Sequence, residues 1–128
     1  MRRAAVGISI VLAFTAAVLV KTFIIDLMIA EGNSMSPSIK PGSVLVVCKT
    51  FYGIRASGEY LVWWIKPHFG DIVVFYTPEG NVAVKRYREA VSEDLFYAQG
   101  DNLVQSYDSR NYGPVPNNNI IGRVLGVK

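Results

Sequence analysis

One cysteine, Cys48, and one histidine, His68, are this 128-residue chain's whole supply of the side chains that most often build disulfides and transition-metal centres. A lone cysteine excludes an intramolecular disulfide and a cysteine metal cluster. A lone histidine leaves a metal without its usual ligand set, so neither metal nor cofactor is expected. Cys48 lies in an apolar run and reads as core. Concentrated positive charge is lacking too. The net charge is +3, yet Arg2, Arg3 and Lys21 belong to the N-terminal segment, and residues 31–128 carry 10 basic against 9 acidic side chains. With no basic patch, nucleic acid is not an expected partner. Beyond the first 30 residues there is no strong 3.6-residue periodicity, internal repeat or low-complexity linker, which argues against a helical bundle or a solenoid. The length holds one compact domain plus an anchor and leaves no room for a second folded domain.

What the chain does have is an apolar start. Ala4–Val20 carries no charge, and Phe23–Ala30 extends the run if Lys21 snorkels to a headgroup and Asp26 lies in the interface. The pattern predicts one spanning helix over residues 4–24 within an anchor unit of residues 1–30. Arg2 and Arg3 ahead of the run place the N-terminus in the cytoplasm and residues 31–128 outside the cell membrane. A cleaved secretory signal shares the charged start and the apolar stretch. No small-x-small site closes this run, however, and more apolar residues follow Lys21, which favours a retained anchor.

After the anchor come short β-rich runs: Val44–Val47, Asp71–Tyr76, Val82–Tyr87, Leu95–Gln99 and Ile120–Val127, separated by Pro-Gly, Pro-Glu-Gly and Asn-rich breakers. They predict a mostly β fold: a small coiled or barrel-like antiparallel sheet domain carried on one N-terminal transmembrane helix. Pro114, Pro116 and Asn117–Asn119 read as a rigid, then polar, surface loop. Trp63 and Trp64, flanked by Leu61, Val62 and Ile65, fit two readings equally: an interfacial contact, or one core and one exposed ring.

Four segments carry chemistry, in order. They are Gly32-Asn33-Ser34-Met35-Ser36-Pro37-Ser38; Gly70-Asp71-Ile72-Val73-Val74-Phe75; Val84-Lys85-Arg86; and Gly100-Asp101-Asn102 followed by Ser106-Tyr107-Asp108-Ser109-Arg110. The first, alone, is an ordinary membrane-proximal turn. As an ordered set after one apolar span, they resemble the boxes of the bacterial type I signal peptidases. The resemblance implies a serine endopeptidase that removes signal peptides from exported preproteins at the bilayer surface. It implies Ser34 as nucleophile, Lys85 as general base, Ser106 hydrogen-bonded to the lysine amine, and structural pairs of Asp101 with Arg86 and Asp108 with Arg110. It also implies shallow apolar pockets for small substrate residues, expected near Ala30, Met35, Val74, Phe75 and Val84. The family commonly carries an inserted β domain where this chain has only Tyr87–Gln99, so a dedicated processing enzyme for one secretion or pilus system is an alternative.

The dyad has a physical requirement of its own. A serine hydroxyl needs a neighbour to take its proton, and a lysine does so only as the neutral amine. An exposed lysine, with a pKa of about 10.4, is almost wholly charged at neutral pH, so Lys85 must be buried among apolar groups. Signal peptidases of archaea and the endoplasmic reticulum have histidine in that place, and His68 precedes the Gly-Asp box. A cytoplasmic self-cleaving repressor shares the Ser-Lys chemistry but not the span. A non-catalytic membrane-anchored β domain is the reading from another class.

Overall fold

The computed structural model describes Met1–Lys128. Helix α1, Arg2–Phe23, is 22 residues long, with a mean hydropathy of 2.2 over its most apolar window and no buried residue. At 1.5 Å per residue it measures about 33 Å, enough to cross a hydrocarbon core of ~30 Å. Its hydroxyls are satisfied internally: Ser9 donates to the Ala5 carbonyl and Thr15 to that of Val11, as an apolar medium requires.

The rest is mostly strand. In chain order come β1 (Ile25–Ile29), β2 (Val44–Cys48), β3 (Gly53–Ala56), β4 (Glu59–Trp63), β5 (Ile72–Tyr76), β6 (Val82–Ala90), β7 (Leu95–Gln99), the one-turn helix α2 (Ser109–Tyr112), β8 (Val115–Pro116) and β9 (Ile120–Val127). Seven strands form one antiparallel sheet in the order β1-β2-β9-β5-β6-β7-β8, and β3-β4 is a separate hairpin. Register shifts at Val46/Val47, Val74/Phe75 and Tyr87/Glu89 increase the local twist and curl the sheet into a half-barrel. Alternation along β5 feeds two cores. Val73 and Phe75 join Tyr52, Tyr87, Phe96 and Ile120, whereas Val74 joins Met35, Ile39, Leu45 and Val47.

The five strands expected from sequence are all present. Four others are new. Residues 25–29, expected at the outer end of the anchor, are instead the first strand of the sheet, paired from Ile25↔Cys48 to Ile29↔Val44. An apolar strand that directly follows an apolar helix offers no change of period to mark the boundary. The β3-β4 hairpin did have a signal: its two-residue loop Ser57-Gly58 has positive φ at both positions, 52° and 85°, the turn that suits a tight hairpin. Within the expected Pro-rich loop, Val115–Pro116 pairs with Leu95 and Phe96 as an edge strand, where a proline is tolerated. Cys48 is half-buried rather than core. Trp63 stacks on Tyr60 at 3.8 Å and packs against the first core, while Trp64 is half exposed with its indole N–H on the Phe51 carbonyl.

Candidate active site

Ser34 lies in the loop between β1 and β2, pinned by its neighbours. Met35 and Ile39 are buried in the second core, 4% and 2% exposed. Gly32, at φ +73° with open space around its Cα, makes the left-handed bend that leads into the serine. The Gly100-Asp101-Asn102 segment holds this loop from behind. The Asn102 backbone N–H donates to the Ser34 carbonyl at 2.9 Å and its side chain to the Asn33 carbonyl at 3.1 Å. Ser38 Oγ donates to Asp101 Oδ2 at 2.5 Å.

Lys85 comes from β6, opposite Val73 in the ladder, and is 7% exposed. Its Nζ donates to Ser34 Oγ at 2.8 Å, across 51 residues of sequence. Burial lowers the Lys85 pKa from its ordinary value, with the Asp108 charge opposing part of the drop. The adjacent Arg86 points the other way from the strand and grips Asp101 through two bonds of 2.8 and 2.6 Å. Asp101 therefore ties the lysine strand to the serine loop, through Arg86 on one side and Ser38 on the other. The Arg86 bond lowers the Asp101 pKa, with Ser38 contributing.

Asp108 is the buried node of the last box. It accepts from the Gly100 N–H, from Ser106 Oγ, and from the Arg110 backbone and guanidinium, all between 2.6 and 3.1 Å. Burial alone would raise its pKa, but these bonds outweigh it and hold the carboxyl at about 2. Asp108 also caps α2 in a reciprocal box with Asn111. Both expected pairs, Asp101 with Arg86 and Asp108 with Arg110, are thus formed. The expected bond from Ser106 to the lysine amine is not: the Ser106 hydroxyl proton goes to Asp108 at 2.6 Å, and the side-chain bond of Lys85 is to Ser34. The charged acceptor next in the loop wins the proton, leaving only lone pairs on Ser106 Oγ for an ammonium.

Beside Ser34 and Lys85 opens a cleft of about 330 Å³. Ala30, Met35 and Val84 line it as expected. Val74 and Phe75 do not; both are fully buried, and Phe75 packs into the opposite core. Both faces of β5 are covered by core, Val74 by the second and Phe75 by the first, so neither side chain reaches the cleft. Met28, Glu31, Ile39, Val82 and Ala83 line it instead. One signal for the first of these was present: Met28, Ala30, Gly32 and Ser34 recur every second residue, as one face of a strand running into Ser34 does. The Ser34 N–H has no bond within the chain, so it is a free donor at the site.

The Gly-Asp box serves the frame. Asp71 accepts from the Tyr52 hydroxyl at 2.8 Å and the His68 N–H at 3.0 Å, and pairs with Arg123 at 3.4 Å.

A family model described as signal peptidase, peptidase S26, matches residues 3–88 and 81–127. The chain belongs to that family. Its relatives include the mitochondrial ATP-independent inner membrane protease subunit 1b of Arabidopsis thaliana, 32% identical over 75% of this chain and 65% of the relative. They also include signal peptidase I of Bacillus licheniformis, 31% identical over 80% of the chain and 54% of the relative. Signal peptidase I of Leptolyngbya laminosa is 26% identical over 94% of the chain and 74% of the relative. The chain therefore spans between about half and two thirds of the length of the first two.

Proposed function

We propose that this family member is a membrane-anchored serine endopeptidase that removes signal peptides from exported preproteins, with Ser34 as nucleophile and Lys85 as general base. The observation that carries this reading is the 2.8 Å contact between Lys85 Nζ and Ser34 Oγ, with the lysine buried and its pKa lowered. A neutral Lys85 amine takes the Ser34 hydroxyl proton as Oγ attacks the scissile carbonyl. The Ser34 N–H donates to the oxyanion. The new ammonium returns its proton to the leaving amine, and the freed amine then deprotonates the water that hydrolyses the acyl ester.

The peptide enters the cleft as an extended segment. β1 ends the sheet, and β7 pairs with β6 only from Arg86 onward, so the backbone at Val82–Val84 has a free edge facing the cleft. Small walls at Ala30, Gly32 and Ala83 leave room for side chains on that segment. α1 is the anchor, with Arg2 and Arg3 in the cytoplasm and the cleft on the outer face of the cell membrane, where the substrate's own apolar helix emerges. Residues 31–128 form the extracytoplasmic catalytic domain together with β1. The direct β6-β7 connection, without an inserted domain, favours a narrow substrate range, as in an enzyme dedicated to one secretion system.

Incubating the detergent-solubilised protein with a panel of preproteins, and locating cleavage sites by mass spectrometry, tests both activity and range. Cleavage at signal-peptide junctions by the wild type but not by Ser34→Ala is the expected result; no cleavage of any preprotein contradicts it.

A further inference from the structure

Where α1 meets the sheet domain there is a second cavity, of about 350 Å³, sharing no residue with the catalytic cleft. Thr22 and Phe23, the last residues of α1, line it together with Lys49 and Thr50, which follow β2, and with Ile54 and Arg55 of β3. The lining holds two cations and no carboxylate. Neither cation has an acid partner, since the ion pairs of the molecule are those of Arg86, Arg110 and Arg123. Both heads are nevertheless held in place by neutral acceptors. Lys49 donates to the Thr22 carbonyl at the end of α1, and Arg55 donates to the carbonyls of Asn118 and Gly58 at 3.0 and 3.3 Å. Phe23 and Ile54 beside them are 63% and 47% exposed, an apolar border that water does not favour.

The last turn of a spanning helix lies at headgroup depth. Two fixed, uncompensated cations flanked by hydroxyls and bordered by apolar side chains, at that depth, match an anionic group that carries hydrocarbon. We propose that this cavity binds the phosphodiester headgroup of an anionic phospholipid. Lys49 and Arg55 take the phosphate charge, Thr22 and Thr50 supply hydroxyl donors, and the acyl chain lies along Phe23 and Ile54. A lipid held there braces the helix exit against β3 and sets how the domain sits over the bilayer. The inference rests on the reading of α1 as a membrane span.

The test uses the full chain in vesicles of phosphatidylcholine alone and of phosphatidylcholine mixed with phosphatidylglycerol. Flotation reads α1, and the protein floats with both. Protein released from the mixed vesicles in neutral detergent is then examined by native mass spectrometry for retained lipid. Phosphatidylglycerol is retained in preference to phosphatidylcholine. Lys49→Gln and Arg55→Gln each weaken its retention roughly fivefold, the worth of about one basic side chain at a membrane surface, while Lys49→Arg keeps it. If Arg55→Gln unfolds for want of its bonds to Asn118 and Gly58, the Lys49→Gln and Lys49→Arg pair decides alone. Equal retention of the two lipids by the wild type, or unchanged retention in Lys49→Gln, overturns the site while leaving the span intact. Displacement of the lipid by inorganic phosphate at millimolar concentration assigns the cavity to free phosphate and overturns the lipid. A protein that floats with neither vesicle overturns the span, and the headgroup site with it.

Discussion

Burying a lysine amine beside a serine hydroxyl serves the proposed chemistry and costs stability, and both effects are measurable at Lys85. Ser34→Ala and Lys85→Ala are each expected to lower kcat by at least ~10³-fold with the fold intact, since halves of one catalytic unit fail together. Lys85→Arg is expected to be equally inactive because a guanidinium does not deprotonate at working pH. Preprotein cleavage assays check all three. Because the Lys85 pKa is lowered by burial, the unfolded chain binds more protons than the folded one between that lowered value and the ordinary 10.5. Stability from this group therefore rises with pH across the window, and below it the full cost applies. Lys85→Met should melt higher than wild type at neutral pH, with the gain shrinking as pH approaches 10, and kcat/KM of the wild type should climb over the same window. Scanning calorimetry at the two pH values and a pH-rate profile decide; an equal melting temperature for the two proteins at neutral pH removes the case for a costly buried amine. Asp108 has the opposite sign. Its folded pKa of about 2 contributes stability above its ordinary 3.8 that is lost as pH falls toward 2. Asp108→Asn, which cannot accept all the bonds that converge there, should cost about 2–4 kcal/mol in urea unfolding.

The elements meet most tightly where the segment after β7 backs onto the serine loop. A Cβ on Gly100 would lie 2.0 Å from Ser106 Oγ and 2.5 Å from the Ser34 carbonyl oxygen. The second contact is with backbone that cannot swing away, so Gly100→Ala must push Ser34 off Lys85. Activity should fall by ~10²-fold or more, the cost of misplacing a reacting group by about 1 Å, together with a loss of stability. Full activity in this variant would show that the loop has slack the packing does not reveal. Asp101→Ala removes the tie between β6 and the same loop, leaving Ser38 and two of the Arg86 donors without their acceptor. Arg86 keeps only its 2.7 Å bond to the Gly70 carbonyl, so the variant should lower both the melting temperature and kcat; a loss of kcat at unchanged melting temperature would mean that Asp101 acts on the chemistry rather than on alignment.

On the scale of the whole molecule, β1 makes the junction between anchor and sheet a matter of five residues. A chain starting at Ile24 keeps every strand. One starting at Glu31 loses the β1 ladder to β2 and, with it, Met28 and Ala30 of the cleft. The chain starting at Ile24 should retain cooperative melting and cleave a soluble peptide. The shorter should melt lower by about 10 °C or more, given that a few kcal/mol is lost from a domain of roughly 100 residues, and should lose cleavage. Differential scanning fluorimetry of the two chains distinguishes the boundaries.

The apolar helix and the five strands at Val44, Asp71, Val82, Leu95 and Ile120 were legible because each rests on local composition, whereas Ser34 and Lys85 were singled out only by the resemblance of an ordered set of segments. The Asp101–Arg86 and Asp108–Arg110 pairs came with that resemblance, and both are formed. What the sequence could not decide is what depends on curvature and on competition between partners. Whether Ser106 turns to the lysine or to Asp108 depends on which acceptor the loop brings nearer, and the charged one wins. Whether Val74 and Phe75 face substrate depends on what covers the two faces of β5, and a core covers each. Residues 25–29 look like more anchor until β2 offers them a hydrogen-bonded edge. The cavity at the end of α1 likewise exists only because the fold brings Lys49 and Arg55 beside Thr22 and Phe23.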